Sequence, residues 1–478
     1  MIAELIGAKL LSPYFGSSLY VWSSVMAITL GGLAAGYFIG GIWSTKKDPL
    51  QRLMMILALS GISLISMPFL ARFIFPYAFT LKLLPGVVLG TITTLFFPVF
   101  FMGSVSPLVI KILNVETLSS GKTAGEVYGV STIGGIIATF LTGFWLIPEF
   151  GLTIPLVFVG TIILLIPCIY QFYAKNYFTF FIFILTSTAL ILMSFYEYRN
   201  DKPVVFKSEG ILGRVEVLEI PVQNQKKKTL ERSLLINNII QTSIDLSDHK
   251  STIDYVDILK KNLDRFEFKN KKALLLGLGG GAVANVLVEN GWDVTAIEID
   301  ERIVDVAKEY FFLSPKVKII TDDARHGLFQ AGNQFDFVLF DMYSAEVAPS
   351  HVVSVEALKE IEEICDKEVL FVFNTYGYLN PKAGMGNLSL LKTLRHLNYQ
   401  NKISVHGDVN YEDYRGFLIF SKKTNFKSDF KLFQEFEIKD DSMLGTLITD
   451  NFPVLEYQNA LAAKKWRFEY IQNFISKR

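Results

Sequence analysis

Hydrophobic positions divide the chain near residue 200. Over residues 1–196 they form long, almost unbroken runs; beyond about Pro203 they shorten to strand-length runs alternating with helical periodicities. A helix needs about 20 apolar residues to cross a ~30 Å hydrocarbon core. Runs of that length lie near 19–43, 53–73, 84–109, 127–147, 152–172 and 177–196, which predicts six spans. Met1–Leu11 is apolar apart from Glu4 and Lys9 and is too short to cross. It reads as an interfacial segment or the remnant of an extra helix, and it lacks the basic start and small-residue cleavage site of a signal peptide.

Within the first span Gly32, Gly36 and Gly40 recur at four-residue intervals. That spacing bares one helix face, so a neighbouring helix of the same chain, or a second copy, approaches closely. Pro85, Pro98 and Pro107 predict a kinked or broken third span. No ionisable residue stands at membrane depth in these runs, which favours an anchor or a lipid-facing channel over an ion-coupled pump.

Beyond the boundary the pattern is that of a soluble α/β protein. Ile211–Ile220 and Ser233–Thr242 alternate as strands of a small antiparallel sheet, and an amphipathic helix follows at about 251–265. The buried strand Ala273–Leu276 runs into Gly277-Leu278-Gly279-Gly280-Gly281 and then a helix, the arrangement that brings backbone up to a nucleotide at a helix N-terminus. A second strand, Val294–Ile297, ends in Glu298, placed to accept both ribose hydroxyls. The third and fourth strands, Val317–Thr321 and Phe335–Phe340, lead to Asp323 and Asp341. Asp323 is placed to accept from an adenine amino group, and Asp341 projects toward the reacting end. Helices near 301–310 and 353–365 and the strand Val369–Phe373 continue a doubly wound sheet.

Charge sharpens the division. Residues 1–196 carry nine Lys/Arg and five Asp/Glu, and the remaining 282 carry 37 and 41. The net charge of zero therefore averages two unlike pieces, neither basic enough for nucleic acid. Cys168 and Cys365 build no CxxC site or disulfide framework, and the five histidines are scattered, so no metal is expected. Lys46, Lys47 and Arg52, then Lys111 and Lys122, then Lys175 mark alternate loops as cytoplasmic. Counted onward, the soluble half falls outside, whereas a nucleoside donor comes from the cytoplasm; the donor argument is preferred, with the protein in the cytoplasmic membrane.

The run of glycine loop, Glu298-Ile299-Asp300, Asp323-Ala324-Arg325 and Phe335–Asp341 resembles the spermidine synthase (polyamine aminopropyltransferase) family. Ile236–Thr242 is similar to the family's Leu-Asp-Gly-x-x-Gln segment, which puts Gln241 on the cofactor, and Tyr255 and Asp257 fall where its substrate-side Tyr-His-Glu triplet sits. Leu447–Glu456 resembles its closing stretch, and the whole chain resembles membrane-fused members. The resemblance implies an α-helical polytopic membrane domain (1–198), a small N-terminal β subdomain (203–248) and a Rossmann-like, methyltransferase-type catalytic domain (249–478).

It also implies a transferase moving an aminopropyl group from decarboxylated S-adenosylmethionine to an amine. The cofactor-binding residues are then Gly277, Gly279, Gly281, Glu298, Asp323 and Gln241, and Tyr255 and Asp257 face the substrate. Three carboxylates of that pattern are missing. Ser344 replaces the proton-accepting aspartate, Gly280 the loop aspartate that recognises the donor's propylamine tail, and Asn237 a substrate-side aspartate. Catalysis is then expected at Asp341 with Tyr343, Glu346 or His351 as a displaced base. Intact S-adenosylmethionine as donor, methyl transfer, and a transporter or sensor with a non-catalytic nucleoside domain stay open. Expected partners are a small or membrane-associated amine, membrane lipids and a second copy in a homodimer.

Overall fold

The computed structural model describes residues 1–16, 19–81, 83–113, 120–195, 204–210, 212–224, 227–342, 349–380, 383–407, 415–437 and 445–462. The chain forms two compact units, Met1–Asp201 with Ser208–Arg214, and Lys202–Lys207 with Val215–Arg478.

The first unit is helical: α1 (Ile2–Phe15), α2 (Leu19–Ser44), α3 (Pro49–Phe79), α4 (Leu83–Thr91), α5 (Phe97–Leu113), α6 (Ser120–Leu141), α7 (Ile147–Phe150), α8 (Thr153–Tyr173) and α9 (Tyr177–Phe195). Joined through their π turns, six of the helices among the described residues are long and apolar enough to cross a membrane. The π turns, Ile92–Phe96 between α4 and α5 and Thr142–Leu146 between α6 and α7, each end two residues before a proline, Pro98 and Pro148. Proline cannot bond the carbonyl four residues back and clashes with it. The wider turn absorbs the mismatch, so the third span continues through its prolines instead of breaking.

The glycine spacing in α2 is used within the chain. A Cβ on Gly36 would fall 2.3 Å from the Phe100 carbonyl oxygen and one on Gly40 2.7 Å from Ser104 Cα, and the Ser104 hydroxyl donates to the Gly36 carbonyl at 3.1 Å. Helix α1 packs inside the helical bundle. Ile6 and Leu11 are fully buried, in one cluster with Leu64, Phe75 and Leu95. Its alanines and glycine allow a short helix to be wedged in the bundle, as at Gly7, where a Cβ would meet the Leu95 side chain at 2.7 Å.

The second unit is an α/β fold of the methyltransferase type. A four-stranded sheet of β1 (Val204–Gly210), β2 (Gly213–Asn224), β3 (Lys227–Ile236) and β4 (Ile239–Asp245) precedes α10 (Asp254–Leu263). Then follow β5 (Lys272–Leu276), α11 (Ala282–Glu289), β6 (Asp293–Glu298), α12 (Glu301–Tyr310), β7 (Lys318–Thr321), α13 (Leu328–Ala331) and β8 (Phe335–Phe340). After them come α14 (Val355–Glu363), β9 (Cys365–Gly377), α15 (Met385–His396), β10 (Gln400–His406), β11 (Arg415–Lys422), β12 (Glu435–Phe436) and α16 (Leu455–Gln458).

The large sheet runs β12-β10-β11-β9-β8-β5-β6-β7. From β7 to β9 the ladders are parallel, and β11 and β10 add antiparallel. Leu274, Leu276, Val338 and Phe340 face α14 and α15, whereas Leu275, Phe337 and Leu339 face α10 and α11. Burial on both faces explains why these strands read as unbroken apolar runs. Chain order reverses at β5, between β6 and β8, and the crevice at that switch point is where such sheets bind ligands.

Candidate functional site

The glycine loop leaves β5 and turns into α11 with Gly277, Gly279 and Gly281 all at positive φ. Gly277 lies against the end of β8, where a Cβ would sit 2.3 Å from the Asp341 carbonyl oxygen. Gly280 N–H donates to the Thr242 hydroxyl at 2.8 Å, and a Cβ there would strike the Thr242 side chain. Gly280 thus makes room for β4 to dock on the loop. Between the β3/β4 pairs Leu235–Ile240 and Leu234–Thr242 the register slips by one, leaving Gln241 as the unpaired bulge residue. Bulges re-aim side chains beside sites, and Thr242 places this one next to the glycine loop.

Glu298 ends β6 half-buried. Its carboxylate accepts from Leu278 N–H at 3.0 Å and Asp300 N–H at 3.1 Å, which holds it beneath the loop. Burial raises its pKa against the opposing pull of those backbone bonds.

Asp323 follows β7 and accepts from the backbone N–H groups of Arg325 and His326 at 2.9 and 3.2 Å. Its other oxygen is paired with His351 Nε2 at 2.9 Å. Burial works to raise the Asp323 carboxyl, but the bond to His351 and those two amides together hold it below the usual range. This placement corrects the expectation that His351 is a displaced base beside Asp341. β7 and β8 stand three strand spacings apart in the sheet, roughly 14 Å at ~4.8 Å each. His351 therefore sits on Asp323 beside β7, at the far end of the crevice from Asp341. Nearby, Arg325 donates to Asp450 at 2.8 Å and to Glu360, and the Ser354 hydroxyl donates to Asp450 at 2.6 Å, so Asp450 anchors the closing stretch to α14.

At the other end both oxygens of Asp341 are occupied. Tyr255 OH donates to one at 2.8 Å and Asn374 Nδ2 to the other at 2.9 Å. Burial raises this carboxyl, and the Asn374 and Tyr255 bonds oppose the rise. Asp257, expected on the substrate side, lies exposed on the outer face of α10 because a helix turns about 200° over two residues from Tyr255. The α10 carboxylate turned toward this cluster is Asp254, which accepts from Gly407 N–H at 2.8 Å. Asn237 and Asn238, both at positive φ, form the two-residue turn joining β3 to β4, a conformation that favours Asn. Turn chemistry accounts for Asn237 without a substrate role. Tyr343, Ser344 and Glu346 lie outside the described residues, as does the Glu456 side chain. Among the described residues no group of three or more His, Cys, Asp or Glu side chains is arranged to hold a metal.

Sequence reasoning missed Asn374 and His406. No local pattern marks them, since Asn374 lies within an apolar strand and His406 ends one; only strand pairing joins them.

The family model "Methyltransferase domain" matches residues 274–373, which run from β5 through most of β9. A polyamine aminopropyltransferase of Vibrio vulnificus is 30% identical over 141 residues, 28% of this chain and 46% of that protein. A probable polyamine aminopropyl transferase of Bifidobacterium longum is 25% identical over 197 residues, 40% of this chain and 42% of that protein. On these similarities the chain is spermidine synthase-like over its α/β unit. It spans less than half the length of these two relatives. A probable spermidine synthase structure from Corynebacterium glutamicum is 18% identical with a TM-score of 0.40, covering 47% of the spermidine synthase-like chain and 82% of its own.

Proposed function

We propose that the protein is a membrane-anchored transferase that moves the aminopropyl group of decarboxylated S-adenosylmethionine to an amine. The observation that carries this reading is the pair of carboxylates at opposite ends of one crevice. Glu298, beneath the glycine loop, suits ribose, and Asp341 is the fixed acidic group at the reacting end. A carboxylate there attracts the primary ammonium of the decarboxylated donor and repels the carboxylate of the intact one. The glycine cradle, with no Cβ between backbone and ligand at Gly279 and Gly281, fits such a nucleoside. The relatives named as aminopropyltransferases support the same reaction.

The step is an in-line displacement. The amine nitrogen bonds to the propyl carbon, the carbon–sulfur bond breaks, methylthioadenosine leaves, and the new ammonium gives up a proton. Asp341 with Tyr255 and Gln241 orients the reacting groups, and Asp323 with His351 grips the adenine. Tyr343 and Glu346 are the proposed proton acceptors. Ser344, where the family has its proton-accepting aspartate, points to an acceptor less cationic than a linear polyamine. The six apolar helices are the proposed anchor, with the soluble unit on the cytoplasmic side where the donor is made.

The test is the purified full chain in detergent, incubated with each donor and a panel of amines. Release of methylthioadenosine from the decarboxylated donor is expected. Release of S-adenosylhomocysteine from the intact donor would make the protein a methyltransferase, the reading favoured by the methyltransferase family model. Failure to bind either donor or methylthioadenosine would remove the transferase reading altogether.

A further inference from the structure

The strands β9, β10 and β11 carry a buried polar chain behind Asp341. Asn374, on β9, donates from Nδ2 to Asp341 and presents Oδ1 to His406 Nε2 at 2.9 Å. His406 ends β10, is 3% exposed, and lies between the rings of Tyr255 and Tyr376, with centroids 5.6 and 5.1 Å away. Directly across the β10/β11 ladder stands Gly416. A Cβ at that position would fall 2.1 Å from the imidazole Cε1, so only glycine leaves space for the ring. The imidazole therefore has a built slot, made by a glycine and two aromatic rings.

The hydrogen-bond directions along the chain follow from chemistry. An ionised Asp341 only accepts, so the Asn374 group facing it is the amide nitrogen. The Asn374 group facing His406 is then the carbonyl oxygen, which also only accepts, and Nε2 must carry the proton. Turning the Asn374 amide over would set its oxygen against the carboxylate. His406 opposes that turn by offering a donor on the far side.

We propose that His406 is a positioning residue: by donating to Asn374 it locks the amide orientation that holds Asp341 as an acceptor toward the cationic end of the donor. The role of Asp341 toward the donor rests on the function proposed above; the lock itself does not. His406 touches neither donor nor acceptor in this scheme. It acts through Asn374 and sets the geometry of a carboxylate two hydrogen bonds away.

The experiment compares the wild type, His406→Gln and His406→Phe as full chains in detergent. Gln retains a side-chain N–H donor near the position of Nε2, whereas Phe fills the slot without one. Calorimetry is run with decarboxylated S-adenosylmethionine and with methylthioadenosine, which lacks the aminopropyl tail. The expected result is a loss of about tenfold in affinity for the tailed nucleoside in His406→Phe, the order expected for a hydrogen bond serving a charged group. Affinity for methylthioadenosine should hold within about twofold, and His406→Gln should restore most of the loss. Equal losses for both nucleosides, no loss for either, or no rescue by Gln would overturn the proposal. Should the wild type bind neither nucleoside, the function reading fails, and nitrogen-15 spectra of the labelled histidines judge the lock by itself. A neutral His406 protonated at Nε2, whose signals move in Asn374→Leu, is expected. An Nδ1-protonated ring, or signals indifferent to Asn374→Leu, would overturn it. The same spectra decide the matter if His406→Phe does not fold.

Discussion

Gly277 and Asp341 meet backbone to backbone, so closely that a single methyl group on Gly277 would lie 2.3 Å from the Asp341 carbonyl oxygen. Gly277 also has φ of 96°, a region that side-chain-bearing residues rarely enter. The contact clamps the glycine loop to the strand end that carries Asp341. Gly277→Ala should therefore cost about 3 kcal/mol or more from strain and overlap together, lowering the thermal midpoint and nucleoside affinity in parallel. A variant with the wild-type midpoint and affinity would show that the loop and β8 are not in this contact.

The two ends of the crevice should respond differently to substitution. Glu298→Ala removes the proposed ribose acceptor and the partner of Leu278 N–H, and should weaken methylthioadenosine at least about tenfold. His351→Ala should raise KM for the donor several-fold with little change in kcat, because His351 is held on Asp323. Steady-state kinetics check both. A large fall in kcat at unchanged KM in His351→Ala would restore His351 as a base and refute its adenine-side placement.

Acid should weaken the fold through His406. Burial pushes its pKa down to about 4, and the nearby Asp254 carboxylate opposes this only in part. Among the described residues the titratable groups against it are Asp254, Tyr255 and Tyr376. In the unfolded chain a histidine takes its proton near ~6.5. Between about pH 6.5 and 4 the unfolded state therefore binds the extra proton, so stability falls as pH falls, by up to about 3 kcal/mol for this group. Asp323, Glu360 and Asp450, all held below their usual range, add losses of the same sign at lower pH. Asp341 and Glu298 are raised and contribute the opposite sign, being protonated first in the folded state. Denaturation of wild type and His406→Gln across pH 4–7 isolates the histidine: the gap between the curves should narrow on acidification. Parallel curves would show that His406 is not held neutral.

In the helical unit the crossing of α2 and α5 leaves no side-chain volume at Gly36, where a Cβ would meet the Phe100 carbonyl at 2.3 Å. Gly36→Leu should separate the two helices and lower the thermal midpoint in detergent. Leu at Gly41, where nothing lies within 4 Å, should be tolerated. Equal tolerance at both positions would contradict the crossing.

Local pattern by itself determined a great deal about this protein. Apolar run length separated six long helices from the α/β half, because membrane-length burial and strand-length burial demand different spacings of polar residues. Glycines after one strand and carboxylates after the next three marked the C-terminal sheet edge, since strand ends punctuate hydrophobicity in any parallel sheet. What local pattern lacks is distance across the sheet. It placed His351 near Asp341 because they are ten residues apart, whereas chain order around the sheet sends them to opposite ends of the crevice. It chose Asp257 over Asp254 because a linear segment carries no helix face. It read Asn237 and Gly280 as lost carboxylates, whereas one serves a two-residue turn and the other makes space for Thr242. Only tertiary structure decided that Asn374, His406 and Gly416 belong with Asp341, because their association is created by strand pairing between segments far apart in the chain.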